Sequence, residues 1–274
     1  MVWAETDFMR TSIIIPCHRL APVPLCLKSL EACVGINEHQ VILIQQGCKH
    51  FDFDKPGLAL RYVHIPDDGP FNLAKLLNAA VEIARTDWVT FVDPCLIVPP
   101  NFLISIENAA FARKHRLIYF PIRHLDSDVT DLIAQRFDWF LQKVIPFAWN
   151  WRLRCETYKG YPVGTDCFAV PRSDYIDVGG FDEGYRGSDF AHIDFACRWL
   201  NESGRPCRGN CDVFHRWRRR EFWTGESLDD IQARKHFAEQ EQAGFPPLAK
   251  ELRGGRSSPQ MSPKLEGQSP RLSL

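Results

Sequence analysis

Trp88-Val89-Thr90-Phe91-Val92-Asp93-Pro94-Cys95 is an apolar run of strand length that stops on a carboxylate, a proline and a thiol. Its β-branched and aromatic residues favour extended chain, and the proline, which lacks an N–H, ends it. In an extended backbone residues i and i+2 face the same way, so Asp93 and Cys95 are placed to meet one ion or ligand. An aspartate after a strand is also a common turn or helix-cap residue, and the segment by itself leaves both readings open.

Outward from this strand, residues 11–16, 41–44 and 61–65 are runs of the same character, while 23–34 and 71–84 carry apolar residues at helical spacing. Strands alternating with helices predict an α/β fold, a mostly parallel sheet covered on both faces. In such sheets ligands sit beyond the carboxyl ends of the strands, which directs attention to residues 16–18, 45–48, 66–72 and 93–95. Farther along, the pattern predicts helices over 101–115, 126–144, near Ser173, over 192–201 and over 228–242. Strands are expected over 117–121, 166–170 and 211–214, and the aromatic-rich 147–161 fits neither period. Residues 1–10 read as an N-terminal extension, 11–250 as one domain, and 251–274, rich in Ser, Pro, Gly and Arg, as a disordered tail.

The chain has 274 residues, 45% of them hydrophobic, enough for a substantial core. With 33 basic and 34 acidic residues the net charge is -1, so no overall field draws it to nucleic acid or an anionic membrane. Glu5 and Asp7 interrupt any secretory apolar segment at the start, and no apolar run approaches the ~20 residues of a membrane span, so a soluble, cytoplasmic protein is expected. Its 10 cysteines are scattered through apparent strands and helices, which favours reduced, buried thiols over a disulfide framework. No G-x-G-x-x-G or G-x-x-x-x-G-K loop occurs, so a phosphorylated ligand must be met by other donors or a metal.

Ser12-Ile-Ile-Ile-Pro16-Cys17-His18, followed by the leucines from Leu25 to Leu30 and by Phe91-Val-Asp93-Pro-Cys95-Leu-Ile-Val-Pro-Pro-Asn-Phe-Leu103, resembles the nucleotide-binding half of inverting family 2 glycosyltransferases of the GT-A fold. Phe71-Asn72-Leu-Ala-Lys75-Leu-Leu-Asn78, Val178-Gly-Gly-Phe-Asp182-Glu183 and Asp194-Phe-Ala-Cys-Arg198 are similar to motifs of its galactosyltransferase and chondroitin-polymerase-like branch. Val213-Phe-His215 is similar to the late strand that carries a metal-binding histidine. The pieces fall in the family's order across residues 11–217. The resemblance implies a nucleotide-binding half at about 11–120 and an acceptor half at about 121–250. It further implies transfer of a sugar, with inversion, from a nucleotide sugar of UDP type to a glycan or lipid-linked acceptor, in the manner of polysaccharide synthesis.

By position, the resemblance places Pro16, His18, Gln46, Asn72, Lys75 and Asp93 around the nucleotide sugar, and Trp149, Trp151 and Asp194 around the acceptor. It implies a divalent metal, Mn²⁺ or Mg²⁺ before Zn²⁺, held by Asp93, Cys95 and His215. Cys95 stands where the family has its second metal-motif aspartate. A thiolate is a poor partner for hard cations, so an Asp93, Cys95 and His215 set would be soft enough to favour Zn²⁺ or another transition metal. Gln45-Gln46 stands where related chains place an aspartate at the base, and glutamine can still hydrogen-bond a uracil edge. Ala191-His192 occupies the Glu-Asp pair that holds the usual base; His192 would serve instead, with Asp189 as its competitor.

Each position also has a plainer reading. His215 could cap a strand, Lys75 could be a surface charge rather than a phosphate contact, and Arg216-Trp-Arg-Arg-Arg220 could be a solvated face rather than a clamp on a diphosphate. Trp139, Trp149, Trp151, Tyr158 and Tyr161 could be core or a platform for a sugar face. Cys207, Cys211 and His215 recur every four residues, but on a strand that spacing would not converge on zinc. Asp194 and Arg198, one turn apart, read as a pair that braces a helix. Three altered acidic positions also keep open a non-catalytic domain of this fold that binds a nucleotide sugar or glycan or serves as a partner subunit.

Overall fold

A computed structural model describes residues 10–17, 22–47, 57–67, 69–112, 117–141, 153–154, 157–158, 161–162, 166–185, 189–203, 206–216 and 228–246. The first half runs β1 (Thr11–Cys17), α1 (Val23–Glu31), β2 (Gln40–Gln46), β3 (Leu60–Ile65), α2 (Leu73–Ile83), β4 (Trp88–Val92), β5 (Leu96–Ile97) and α3 (Phe102–Ala112). Then come β6 (Ile118–Tyr119), β7 (Ile122–His124), α4 (Ser127–Gln135), α5 (Phe137–Trp139), β8 (Leu153–Arg154), β9 (Thr157–Tyr158) and β10 (Tyr161–Pro162). The last part holds β11 (Cys167–Pro171), α6 (Arg172–Val178), α7 (Asp189–Ser203), β12 (Cys207–Arg208), β13 (Val213–His215) and α8 (Leu228–Gln242).

The main sheet has seven strands in the order β12-β6-β11-β4-β1-β2-β3. β1 pairs in parallel with both β2 and β4, so successive connections leave β1 in opposite directions and open a crevice at the carboxyl ends of β1 and β4. β11 runs antiparallel to both β4 and β6, the exception in an otherwise parallel sheet. Side chains alternate across it: Ile14 packs with α2, α6 and α7, whereas Ile13 and Ile15 pack with α1 and α3. That two-sided burial is why these strands are continuously apolar.

A second sheet, ordered β5-β13-β7-β8, covers a smaller cluster built on Ile97, Leu125, Phe137, Phe140 and Phe214. Of the strand expected over 117–121 only Ile118–Tyr119 is strand, as β6 of the main sheet; past Pro121, which lacks an N–H, the chain resumes as β7 in the second sheet. The helix expected over 126–144 ends at Gln135, because Arg136 (φ -137°) leaves helical geometry before the short α5. The last strand starts at Val213 rather than Cys211, and α7 begins at Asp189, three residues ahead of the expected start. α8 covers the expected residues 228–242. No helix among the described residues is long and apolar enough to cross a membrane. Of the eight described cysteines seven are buried.

Candidate functional site

Asp93 leaves β4 in a tight turn. Its Oδ1 accepts the Cys95 N–H at 2.7 Å, and its carbonyl accepts the Leu96 N–H at 2.9 Å. The plain turn reading of this aspartate is therefore correct, and it coexists with a ligand-bearing geometry. β5 starts directly after Cys95 and pairs antiparallel with β13, setting His215 opposite Leu96, while the Arg216 N–H donates to the Cys95 carbonyl at 3.1 Å. The pairing brings an Asp93 oxygen, the Cys95 sulfur and a His215 ring nitrogen all within 4.8 Å of one another. On the neighbouring β7, His124 stands in register with His215, their ring centroids 5.1 Å apart.

One carboxylate, one thiol and one imidazole suit a borderline-soft divalent ion with a coordination position left for a ligand, the arrangement of catalytic zinc sites. Cys26 lies beneath, its thiol 4.0 Å from the Asp93 carbonyl. Burial, then the charges of Asp93 and Cys95, push the Cys26 thiol well up, so it stays protonated. Burial likewise raises Cys167.

Asp93 also lines a small cleft, together with the apolar side chains of Leu73, Leu77 and Phe91. Pro16, Asp93, Asp166 and His192 rim it. Four strand ends and helices thus converge: Pro16 from β1, Asp93 from β4, Asp166 ahead of β11, and His192 from the first turn of α7. The Phe181 ring meets the His192 ring edge to face at 5.2 Å. Asp166 had no assigned role in the sequence, where it reads only as the start of a strand; its pairing with β4, invisible to local periodicity, is what puts it in the cleft.

Other expected ligand residues are engaged by the chain itself. Gln46 is 5% exposed; its Nε2 donates to the Pro70 carbonyl at 3.1 Å and its Oε1 accepts the Asn72 N–H at 2.9 Å. This amide pins the loop that leads into α2. Asn72 caps that helix, its Oδ1 accepting the Lys75 N–H at 2.9 Å, and its Nδ2 donates to the Glu183 carbonyl at 2.9 Å. Lys75 forms an ion pair with Asp67 at 2.8 Å, which holds the Asp67 carboxyl below its ordinary range. Asp194 is 1% exposed and accepts two bonds from Arg198, at 2.6 and 2.8 Å, so the structure gives it the bracing role rather than an open acceptor face. Arg198 Nη1 also donates to the Val178 carbonyl at 2.9 Å, fastening α7 to the end of α6. Burial pushes the Asp194 carboxyl up and Arg198 pulls it down.

Asn78 is the positioning residue that sequence reasoning left without a role. From α2 its Nδ2 donates to the Phe181 carbonyl at 2.9 Å and to Glu183 Oε1 at 3.0 Å, while its Oδ1 accepts from Tyr175 and from the Phe181 N–H. A lone amide between the apolar positions Leu77 and Ala80–Val81 was its available signal. His18, Trp149, Trp151 and residues 217–220 lie outside the described residues, as do the side chains of Asp189, Trp139, Tyr158 and Tyr161.

No family model and no curated protein matches the chain. Solved structures do. The fold is similar to that of S. aureus TarS 1–349, with a TM-score of 0.54 at 11% identity, over 76% of this chain and 60% of that one. Against the same TarS fragment in complex with UDP-GlcNAc the TM-score is 0.58 at 13% identity, over 89% and 69%. Against GalNAc-T7 with UDP, GalNAc and Mn²⁺ it is 0.59 at 10% identity, over 87% of this chain and 50% of that one. The match thus spans only half to about two thirds of each of these chains. With a seven-stranded, mostly parallel sheet opening at the carboxyl ends of β1 and β4, the chain has the GT-A fold of these glycosyltransferases.

Proposed function

We propose that the chain is a glycosyltransferase that takes a sugar from a UDP-sugar and passes it, with inversion, to a glycan or lipid-linked acceptor. One observation supports the reading: Asp93 belongs both to a three-residue group able to hold a cation and to the lining of a cleft that includes His192. Asp93, Cys95 and His215 would hold the cation, and a cation there stabilises the negative charge that develops on a departing diphosphate. His192 takes the proton of the acceptor hydroxyl. The acceptor oxygen bonds to the anomeric carbon on the face opposite the diphosphate, and the electron pair of the breaking C–O bond leaves with UDP.

The test is sugar release from a panel of UDP-sugars with Mg²⁺, Mn²⁺ and Zn²⁺ in turn, alongside UDP binding by calorimetry. Wild-type protein should bind UDP in a metal-dependent way and turn over one donor, and His192→Ala should keep UDP affinity while losing transfer. Normal transfer by that variant would remove His192 as the base. No UDP binding with any metal would instead favour the non-catalytic role of a glycan-binding or partner subunit.

A further inference from the structure

We infer that α8 is a clasp that sets the position of His192, with His236 as its fastening residue. This rests on the reading of His192 as the base and adds to it a helix to which no motif assigned a role.

His192 lies in the first turn of α7, and α8 grips residues on the bend ahead of that helix and on the helix itself. On the bend, the carboxylate of Asp182 only accepts hydrogen bonds, so the His236 ring donates from Nε2 to Asp182 Oδ2 at 2.7 Å, with its Nδ1 4.0 Å from Glu239. Asp182 Oδ1 accepts the Gly184 N–H at 2.8 Å, so one carboxylate both closes the bend and ties it to α8. A Cβ on Gly184 would stand 3.0 Å from Asp182 Oδ1 and 3.2 Å from His236 Nε2, and the lack of a side chain there lets the helix come this close. The buried Tyr185 ring meets the His236 ring at 4.7 Å. On α7, Phe190, two residues before His192, packs its ring on Phe237 at 5.3 Å. Near the other end of α7, Asn201 Nδ2 donates to the Gly244 carbonyl, just past α8, at 2.7 Å.

The grip bears on the cleft because the bend touches the base. Asp182 directly follows Phe181, whose ring packs edge to face on His192 at 5.2 Å, and Asn78 of α2 holds the Phe181 backbone. The residue that abuts His192 is thus fastened to α2 through its own backbone and to α8 through its neighbour. α8 itself is held lightly: among its described side chains only Ala233 and Phe237 are buried. An element with few buried apolar contacts opens at low free energy, so the bond between His236 and Asp182 carries a large share of its docking. Undocking releases Asp182, Tyr185 and Phe190 together, and misplacing a reacting group by about 1 Å can cost on the order of 10²-fold in rate. None of Asp182 and His236, Tyr185 and Phe190 belongs to the cation group, so docking of α8 bears on transfer and not on UDP.

The experiment is amide hydrogen exchange read by mass spectrometry, with steady-state transfer and UDP calorimetry in the metal that supports binding, on wild type, His236→Ala, His236→Gln and Lys235→Ala. Glutamine keeps an N–H donor for Asp182, and Lys235 is exposed on α8. His236→Ala should exchange about tenfold faster over residues 181–185, 189–196 and 228–242 while β1, β2 and β4 stay as in wild type. Its kcat should fall by about tenfold or more at unchanged UDP affinity. His236→Gln should recover most of both losses, and Lys235→Ala should match wild type. Faster exchange through the main sheet as well would reveal a general loss of stability, and unchanged exchange would mean that α8 stays docked without the bond; either overturns the inference. Local loosening with a normal kcat overturns it too, by separating α8 from His192. A glutamine variant as loose as the alanine one removes His236 as the fastening residue. A wild type that binds no UDP with any metal sinks the nucleotide-sugar reading alone, because the exchange pattern judges the clasp without a nucleotide.

Discussion

The Cys95 sulfur and a His215 ring nitrogen lie within 4.8 Å of each other although one sits on the turn after β4 and the other ends β13. The antiparallel pairing of β5 with β13 enforces this approach, and the Asp93 carboxylate completes the group. Thiolate and imidazole prefer Zn²⁺ or Co²⁺ over Mg²⁺ or Mn²⁺. The protein should therefore bind Co²⁺ with a thiolate-to-metal charge-transfer band that Zn²⁺ displaces, and binding should weaken as pH falls because the thiol must lose its proton. Cys95→Ser should abolish the band, and Cys95→Asp should move the preference toward Mn²⁺. An unaltered cobalt spectrum in Cys95→Ser would take the thiol out of the ligand set.

Arg198 is fully buried against Asp194, and its third bond ties α7 to the Val178 carbonyl. Removing one partner of a buried pair leaves an uncompensated charge, so Arg198→Met should cost about 3–5 kcal/mol in urea unfolding. Adding Asp194→Leu should restore part of that loss, because the stranded carboxylate is then gone, although the Val178 carbonyl stays unsatisfied. A single-variant loss below about 1 kcal/mol would show that the pair is dispensable.

How much of this was legible in the sequence depends on range. β1, β2, β4 and α2 are marked by local periodicity, and their order by itself implies the crevice. Asp93, Cys95, His192 and His215 were legible because each sits at an element end in a recognisable order. Asp166 and Asn78 were not, since their importance arises from pairing across the sheet and from a helix contact more than a hundred residues away in sequence. The break at Pro121 was readable in principle, yet its consequence, the chain passing from one sheet to the other, needed the partners of both halves. Gln46 and Asn72 sit at the expected strand end and helix start, but no spacing shows that their amides serve the backbone.

His39 supplies a pH dependence at the far end of the sheet from the cleft. It is 5% exposed, its Nδ1 accepts the Thr11 N–H at 3.2 Å, and its Nε2 is 3.7 Å from Glu107. Burial holds its pKa below the ordinary histidine value. The unfolded chain therefore binds a proton that the folded chain refuses, and the ring's contribution is complete above about pH 6.5 and is lost as pH falls toward the lowered folded value. Burial raises Glu107, whose opposite effect belongs to the carboxylate range at lower pH. Urea midpoints compared at about pH 7.5 and 5.5 should fall for wild type and fall less for His39→Gln. Equal slopes in the two proteins would clear His39 of the effect.

Gly180 joins the cleft to its support. Its φ of 68° lies in the left-handed region, and a Cβ there would stand 2.8 Å from Asn78 Oδ1 and 3.2 Å from Tyr175 Cε1. Gly180→Ala therefore meets both a backbone penalty of about 1–2 kcal/mol and a displacement of the amide that holds Phe181. Asn78→Ala leaves the backbone unstrained but removes the partner of the Phe181 carbonyl and of the Tyr175 O–H, leaving the Phe181 N–H only its 3.3 Å bond to the Tyr175 hydroxyl, for about 1–3 kcal/mol. Because Phe181 packs edge to face on His192, both variants should lower transfer more than they lower UDP affinity. The double variant should cost less than the sum of the two, since the clash in Gly180→Ala is with the very oxygen that Asn78→Ala removes. Additive losses in urea unfolding would show that the strain at Gly180 is borne elsewhere.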